Sequence, residues 1–280
     1  MRKISVESIS EEIARLCIRA NTILPPELCA LLERAAAEES EGAAAGALDD
    51  IVENFRYAAR SAMPICQDTG MAVVFAEVGQ QVQICGGLFE DAVNEGVRRG
   101  YERGLLRKSV VADPVRRGNT DDNCPAVIYT RLTGGDKIRL TVAPKGFGSE
   151  NMSAIRMFLP GDGAEKIEEF VVQTVKNAGA RPCPPIVVGV GLGGTFEQAA
   201  LISKLALIRP VDRRSGDEFY ARMEERLLEK INALNIGAQG FGGKHTALAV
   251  NIETRPTHIA GLPCAVNIGC HVTRHAEGEI

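Results

Sequence analysis

The hydrophobic pattern changes period near Arg60, and that switch limits the architectures open to the chain. Before it, apolar residues recur at helical spacing: Ile13, Leu16, Cys17 and Ala20 in one segment, Leu48, Ile51, Val52 and Phe55 in another. Ser8 with Glu11 has the form of a capping box for the first helix. Pro25-Pro26 ends it, Glu27 to about Glu39 reads as a second helix, and Gly42 to Gly46 reads as a hinge before a third. Cys17 and Cys29 fall on apolar faces and read as core residues. Beyond Arg60, strands are expected at Met71 to Val78, Ile186 to Val190, Thr246 to Ile252 and Ala265 to Ile268. Helices are expected at Phe89 to Arg103, Asp162 to Ala178, Phe196 to Leu207 and Asp217 to Leu234. Ala126 to Leu132 and Lys137 to Ala143 flank Thr133-Gly134-Gly135-Asp136, a hairpin signature. The expected class is α+β, N-terminal helices followed by mixed strands and helices with at least one antiparallel hairpin. One domain over 1–280 is expected, with a helical region at 1–60 and a mixed part at 61–280.

Several function classes are disfavoured. The net charge is −4 without a basic stripe, unlike a nucleic-acid binder. No apolar run approaches the roughly 20 residues that cross a bilayer. The opening residues lead into acids rather than an apolar core, so no export signal is expected. A cytoplasmic location follows as an expectation, and with it eight reduced cysteines.

None of those cysteines forms a Cys-x-x-Cys pair, which argues against a zinc ribbon or a thioredoxin-like site. Three sit in stiff, turn-prone settings: Cys66 in Pro64-Ile65-Cys66-Gln67-Asp68-Thr69-Gly70, Cys183 in Arg181-Pro182-Cys183-Pro184-Pro185, and Cys270 in Asn267-Ile268-Gly269-Cys270-His271. Proline fixes φ and glycine permits unusual backbone, so each sulfur can be aimed by its loop. Such thiolates can hold three irons of a [4Fe-4S] cluster and leave the fourth open as a Lewis acid. Packing of three ordinary loop cysteines is the competing reading. A second motif, Gly189-Val190-Gly191-Leu192-Gly193-Gly194, matches the Gly-x-Gly-x-x-Gly dinucleotide fingerprint. Two helices precede the next strand, however, so a tight turn or a helix N-terminus facing another anion fits better. A nucleotide-binding module stays as the alternative from a different class. Arg107-Lys108-Ser109, Arg116-Arg117 and the glycine turn at Pro144-Lys145-Gly146-Phe147-Gly148 supply cations and amides suited to a small dicarboxylate.

Taken in order, six strings resemble the iron–sulfur hydro-lyases of the class I fumarase and L-tartrate dehydratase family. They are Pro64 to Gly70, Leu106 to Ser109, Asn119-Thr120-Asp121-Asp122-Asn123, Pro144-Lys145-Gly146, Pro182 to Pro185 and Asn267 to His271. The resemblance implies Cys66, Cys183 and Cys270 as ligands of a [4Fe-4S] cluster. It implies substrate contacts from Gln67, Asp68, Arg107, Gly148 and His258, with Asp68 and His258 also taking catalytic roles. The implied activity is reversible hydration of fumarate to (S)-malate, a step of the tricarboxylic acid cycle, with L-tartrate dehydration as the alternative. Phe147 departs from the family's glycine run, and Cys124 stands where relatives carry Thr and reads as a buried small residue. Single-chain members carry a second domain with a threonine base and further cations. The resemblance therefore implies an α subunit completed by a β subunit, assembled as α2β2.

Overall fold

The computed structural model describes residues 1–39 and 42–280. In chain order the elements are β1 (Arg2–Ser5), α1 (Val6–Thr22), α2 (Pro26–Glu38), α3 (Gly42–Ser61), β2 (Met71–Gly79), β3 (Val82–Cys85), α4 (Phe89–Arg103), β4 (Val127–Thr133), β5 (Ile138–Lys145), α5 (Phe147–Glu150), β6 (Ala154–Phe158), α6 (Gly163–Ala178), β7 (Ile186–Gly193), α7 (Phe196–Ile208), α8 (Glu218–Asn232), β8 (Ala247–Arg255), β9 (Leu262–Gly269) and β10 (Ala276–Glu279). This is an α+β fold with mixed sheets. Among the described residues no helix is long and apolar enough to cross a membrane. The chain divides into two compact units, one of Met1–Pro25, Phe55–Phe147 and Arg274–Ile280, the other of Pro26–Asn54 and Gly148–Thr273.

In the first unit the four-stranded sheet runs β10-β5-β2-β4, with β2 parallel to β4 and antiparallel to β5. The hairpin expected around Gly134-Gly135 is therefore split. Its two strands are antiparallel, but β2 is inserted between them. The end of β2 runs through the turn: Gly79 N–H donates to the Lys137 carbonyl and Gln81 N–H to the Gly135 carbonyl, both at 2.9 Å. A Cβ on Gly79 would lie 2.4 Å from the Gly135 oxygen, so only glycine passes there. Ile9, Ile13 and Leu16 of α1, Val93, Val97 and Tyr101 of α4, and Val74, Leu140 and Val142 of the sheet form the core. The first helix is capped one turn earlier than expected, by Ser5, whose hydroxyl accepts from Ser8 N–H at 3.1 Å. The chain turns from β1 into α1 at Ser5, so the cap sits where the strand ends.

The second unit is built on the sheet β6-β9-β7-β8, with β7 parallel to β8 and antiparallel to β9. All eight residues of β7 are buried, as a central strand covered on both faces requires. Val188, Val190, Val266 and Ile268 point into a core shared with Val171 of α6 and Leu227 of α8. The other face of β7 receives α7. The segment expected as a hinge, Gly42 to Gly46, is instead the first turn of α3. Ala43 to Ala45 are strong helix formers, and Ala44 is buried. Cys29 is half-buried rather than a core residue, because it lies at the edge of the apolar face of α2.

Candidate active site

In the first unit, the loop carrying Cys66, Gln67 and Asp68 is held mainly by backbone-directed bonds. Asp68 accepts from Gly70 N–H at 2.9 Å through Oδ1 and from Phe147 N–H at 3.0 Å through Oδ2. Its own carbonyl accepts from Nη2 of the buried Arg274 at 2.6 Å. The Tyr101 hydroxyl lies 2.9 Å from both the Thr69 and Gly70 carbonyls and shares its one proton between them. Burial pushes the Tyr101 hydroxyl's pKa well above its usual range, so it stays a donor. Thr69 Oγ1 donates to the Arg107 carbonyl at 3.1 Å, which joins this loop to the segment bearing Arg107. Asn123, fully buried at φ +62°, accepts from Ser109 N–H at 2.7 Å and donates to the Gly70 carbonyl at 3.3 Å. The scaffold leaves the Gln67 and Arg107 residues exposed beside a half-buried Cys66, whose thiol donates to Gln67 Oε1 at 3.3 Å.

In the second unit, Cys183 precedes β7 and Cys270 follows β9. Antiparallel pairing, with Val187 opposite Gly269, sets both at the same end of the two strands. Their turns are stitched together: His271 donates to the Cys183 carbonyl through its backbone N–H at 3.3 Å and through Nδ1 at 2.9 Å. Because a carbonyl only accepts, Nδ1 carries the proton. Cys183 is exposed and adopts φ +55°, a left-handed conformation held by its flanking prolines and by a bond from its N–H to the Ala180 carbonyl. The Cys270 carbonyl accepts from Thr273 N–H and Oγ1 at 3.0 and 2.7 Å. Gly148 lies against the same region; a Cβ there would be 3.8 Å from the Arg181 carbonyl oxygen. Glu150, two residues on, pairs with Lys204 and accepts from Asn267 Nδ2 at 3.0 Å, which anchors the Gly148 turn to β9.

His258 is not brought to this group. It sits in the exposed turn before β9, with Nδ1 accepting from Ala260 N–H at 3.2 Å, whereas Cys270 follows that strand. Between them in the chain lies β9, whose seven steps from Leu262 to Gly269 span about 23 Å.

The donor set suits an iron–sulfur cluster. Soft sulfur donors on preset turns are what such a cluster needs, and two of the three expected donors share one strand end. Among the described residues no group of three or more His, Cys, Asp or Glu converges on a point; of the expected donors, Cys183 and Cys270 are the two that share one strand end. The remaining cysteines differ in character. Cys17 and Cys264 are buried, and burial pushes the Cys264 thiol up to about 12. Cys124 is half-buried rather than fully buried. Burial, then the Asp122 charge, push its thiol up to about 11, where it is inert as a nucleophile.

The Gly189 to Gly194 motif serves packing. A Cβ on Gly189 would lie 2.2 Å from the Ser203 carbonyl oxygen, and one on Gly191 would lie 2.1 Å from that of Ala199. The backbone of α7 thus rests directly on β7. The α7 N-terminus is closed by its own capping box, Thr195 with Gln198, the Gln198 Oε1 accepting from Thr195 N–H at 3.1 Å.

Sequence reasoning missed Tyr101, Arg274 and Gln239, all of which brace these loops. Tyr101 carried one signal, a hydroxyl on the buried stripe of a charged helix, where a tyrosine needs a partner.

Comparison with known proteins gives a family profile described as "Fumarate hydratase (Fumerase)", matched over residues 10–279. A Methanocaldococcus jannaschii protein named "Putative L(+)-tartrate dehydratase subunit alpha" is 40% identical over 277 residues, 97% of either chain. The "L(+)-tartrate dehydratase subunit alpha" of Escherichia coli K12 is 28% identical over 273 residues, 96% of this chain and 90% of its own.

Proposed function

Because the chain belongs to the fumarate hydratase (Fumerase) family, matched over nearly its whole length, we propose that it is the α subunit of an iron–sulfur hydro-lyase acting on a four-carbon 2-hydroxy dicarboxylate. The observation that carries this reading is the placement of Cys183 and Cys270 on stitched turns at one end of β7 and β9. Cys66, Cys183 and Cys270 would hold the cluster. When bound, such a cluster supplies Lewis acidity that helps a 2-hydroxyl group leave.

The chain's own residues do the rest of the work assigned to it. Arg107, exposed and fixed at its backbone by Thr69, offers a guanidinium fork that matches a substrate carboxylate. Gln67 offers an amide beside it. Two N–H donors orient the Asp68 carboxylate, whose remaining lone pairs can accept a substrate hydroxyl. The Gly148 turn, tied down through Glu150, presents backbone near Cys183. His258, in the exposed turn before β9, keeps the substrate-contacting and catalytic role that the resemblance implies. A β subunit would supply the base that removes the C3 proton, and α2β2 is the assembly this division of labour favours.

Malate and fumarate are the first substrate reading. L-Tartrate is the second, favoured by the names its relatives bear. The test is anaerobic reconstitution of the chain with a β partner, followed by iron and sulfide analysis and turnover of (S)-malate and L-tartrate. Cluster uptake lost in Cys183→Ser and in Cys270→Ser supports the reading, and the preferred substrate decides between its two forms. A variant that keeps a complete cluster and full turnover refutes the ligand assignment.

A further inference from the structure

A third segment touches both thiol-bearing turns of the second unit. Gln239 donates to the Pro184 carbonyl twice, through its backbone N–H at 2.8 Å and through Nε2 at 2.9 Å. The same Nε2 packs 3.3 Å from His271 Nδ1, whose proton is committed to the Cys183 carbonyl at 2.9 Å. One side chain therefore contacts the residue after Cys183 and the residue after Cys270.

The backbone around it is built for that reach. Gln239 adopts φ +52° in a run where Gly237, Gly240, Gly242 and Gly243 also have positive φ. A non-glycine residue there is strained, and persists where the surroundings over-determine it. The turn is anchored on both sides. Ile236 and Gly237 N–H both donate to Thr246 Oγ1 at 3.1 Å, and Gly242 N–H donates to the Ile236 carbonyl at 2.8 Å. Gly240 is seated against Ala180, three residues before Cys183; a Cβ would lie 2.4 Å from that of Ala180. The glycines give the turn its path, and glutamine is the one long polar side chain between Gly237 and Gly243.

We infer that Gln239 is a positioning residue for the Cys183–Cys270 thiol pair, its side chain bonded to the carbonyl that follows one cysteine and packed against the imidazole that follows the other. The inference rests on the reading of that pair as metal-ligating. It predicts that the pair's affinity for any thiophilic metal depends on the Gln239 amide, while the fold does not.

The test uses the reduced full-length chain under anaerobic conditions, titrated with Cd²⁺ and followed by thiolate-to-cadmium charge-transfer absorbance. Wild type, Cys183→Ser, Gln239→Ala and Gln239→Met are compared, the last filling the space without the donors. Loss of the Nε2–Pro184 hydrogen bond weakens Cd²⁺ binding by about three- to tenfold in both Gln239 variants. Thermal melting followed by circular dichroism is expected to stay close to wild type in Gln239→Met. Wild-type Cd²⁺ affinity in Gln239→Met overturns the inference, as does indifference of binding to Cys183→Ser. Loss of the fold in both Gln239 variants overturns it too, since the side chain would then serve the unit as a whole. Should wild type fail to take up a cluster while Cd²⁺ binding still needs Cys183 and Gln239, the positioning role stands and the cluster reading falls.

Discussion

Asp68 and Phe147, seventy-nine residues apart, are joined by a 3.0 Å bond from the Phe147 amide to the Asp68 carboxylate. That bond closes the loop after Cys66 onto the end of β5. Substituting Asp68→Asn keeps the size of the side chain but turns one acceptor oxygen into a donor facing a backbone N–H. A charge-assisted bond is worth about 1.5–3 kcal/mol, so the loop loses about that much local stability. Faster amide hydrogen exchange at Gly70 and Phe147 is the expected result.

Tyr101→Phe removes one buried hydroxyl and leaves the Thr69 and Gly70 carbonyls one proton short. The expected cost is about 1–2 kcal/mol. The melting temperature should fall by about 2–4 °C, and iron retention should weaken because the Cys66 loop loosens. An unchanged melting temperature would show the loop to be held by its other bonds alone.

Gly191→Ala sets a methyl group 2.1 Å from the Ala199 carbonyl oxygen, a backbone atom that cannot swing aside. Overpacking of this kind costs about 3 kcal/mol. Denaturant unfolding should show the loss in full. A nucleotide added to wild type should leave the unfolding midpoint where it was, because α7 fills the space the fingerprint would offer.

Glu168 predicts a pH dependence. Burial alone would raise its pKa, but Arg226 and Lys230 outweigh burial and hold the carboxyl below its ordinary 4.5. A folded-state value below the unfolded one stabilises the protein above about pH 4.5, and that contribution fades as pH falls through the folded value. The stability difference between wild type and Glu168→Gln should therefore shrink on acidification. A difference that holds constant from neutral pH to pH 3.5 or so would assign the variant's effect to packing.

The stiff settings of Cys66, Cys183 and Cys270 were legible because proline and glycine announce backbone geometry locally. What brings Cys183 to Cys270 was not, since the choice of β9 as the neighbour of β7 is made by burial on both faces. The split of β4 from β5 has the same cause: alternation identifies a strand without naming its partner. Short edge strands were invisible for a compositional reason. Ala276–Glu279 reads Ala-Glu-Gly-Glu and is extended only because β5 pairs with it. Gln239 was silent because its role depends on a left-handed backbone and on a carbonyl 55 residues away.

The chain passes between the two compact units at residues 25/26, 54/55, 147/148 and 273/274. No contiguous stretch of gene encodes either one. Arg274, which holds the Asp68 carbonyl, emerges from the ribosome only after every residue of the second unit has been made. The Cys66 loop must therefore wait, in a nascent chain, for the last of its braces, and a truncation that spares all eight cysteines but removes Arg274 and β10 would leave that loop unfinished.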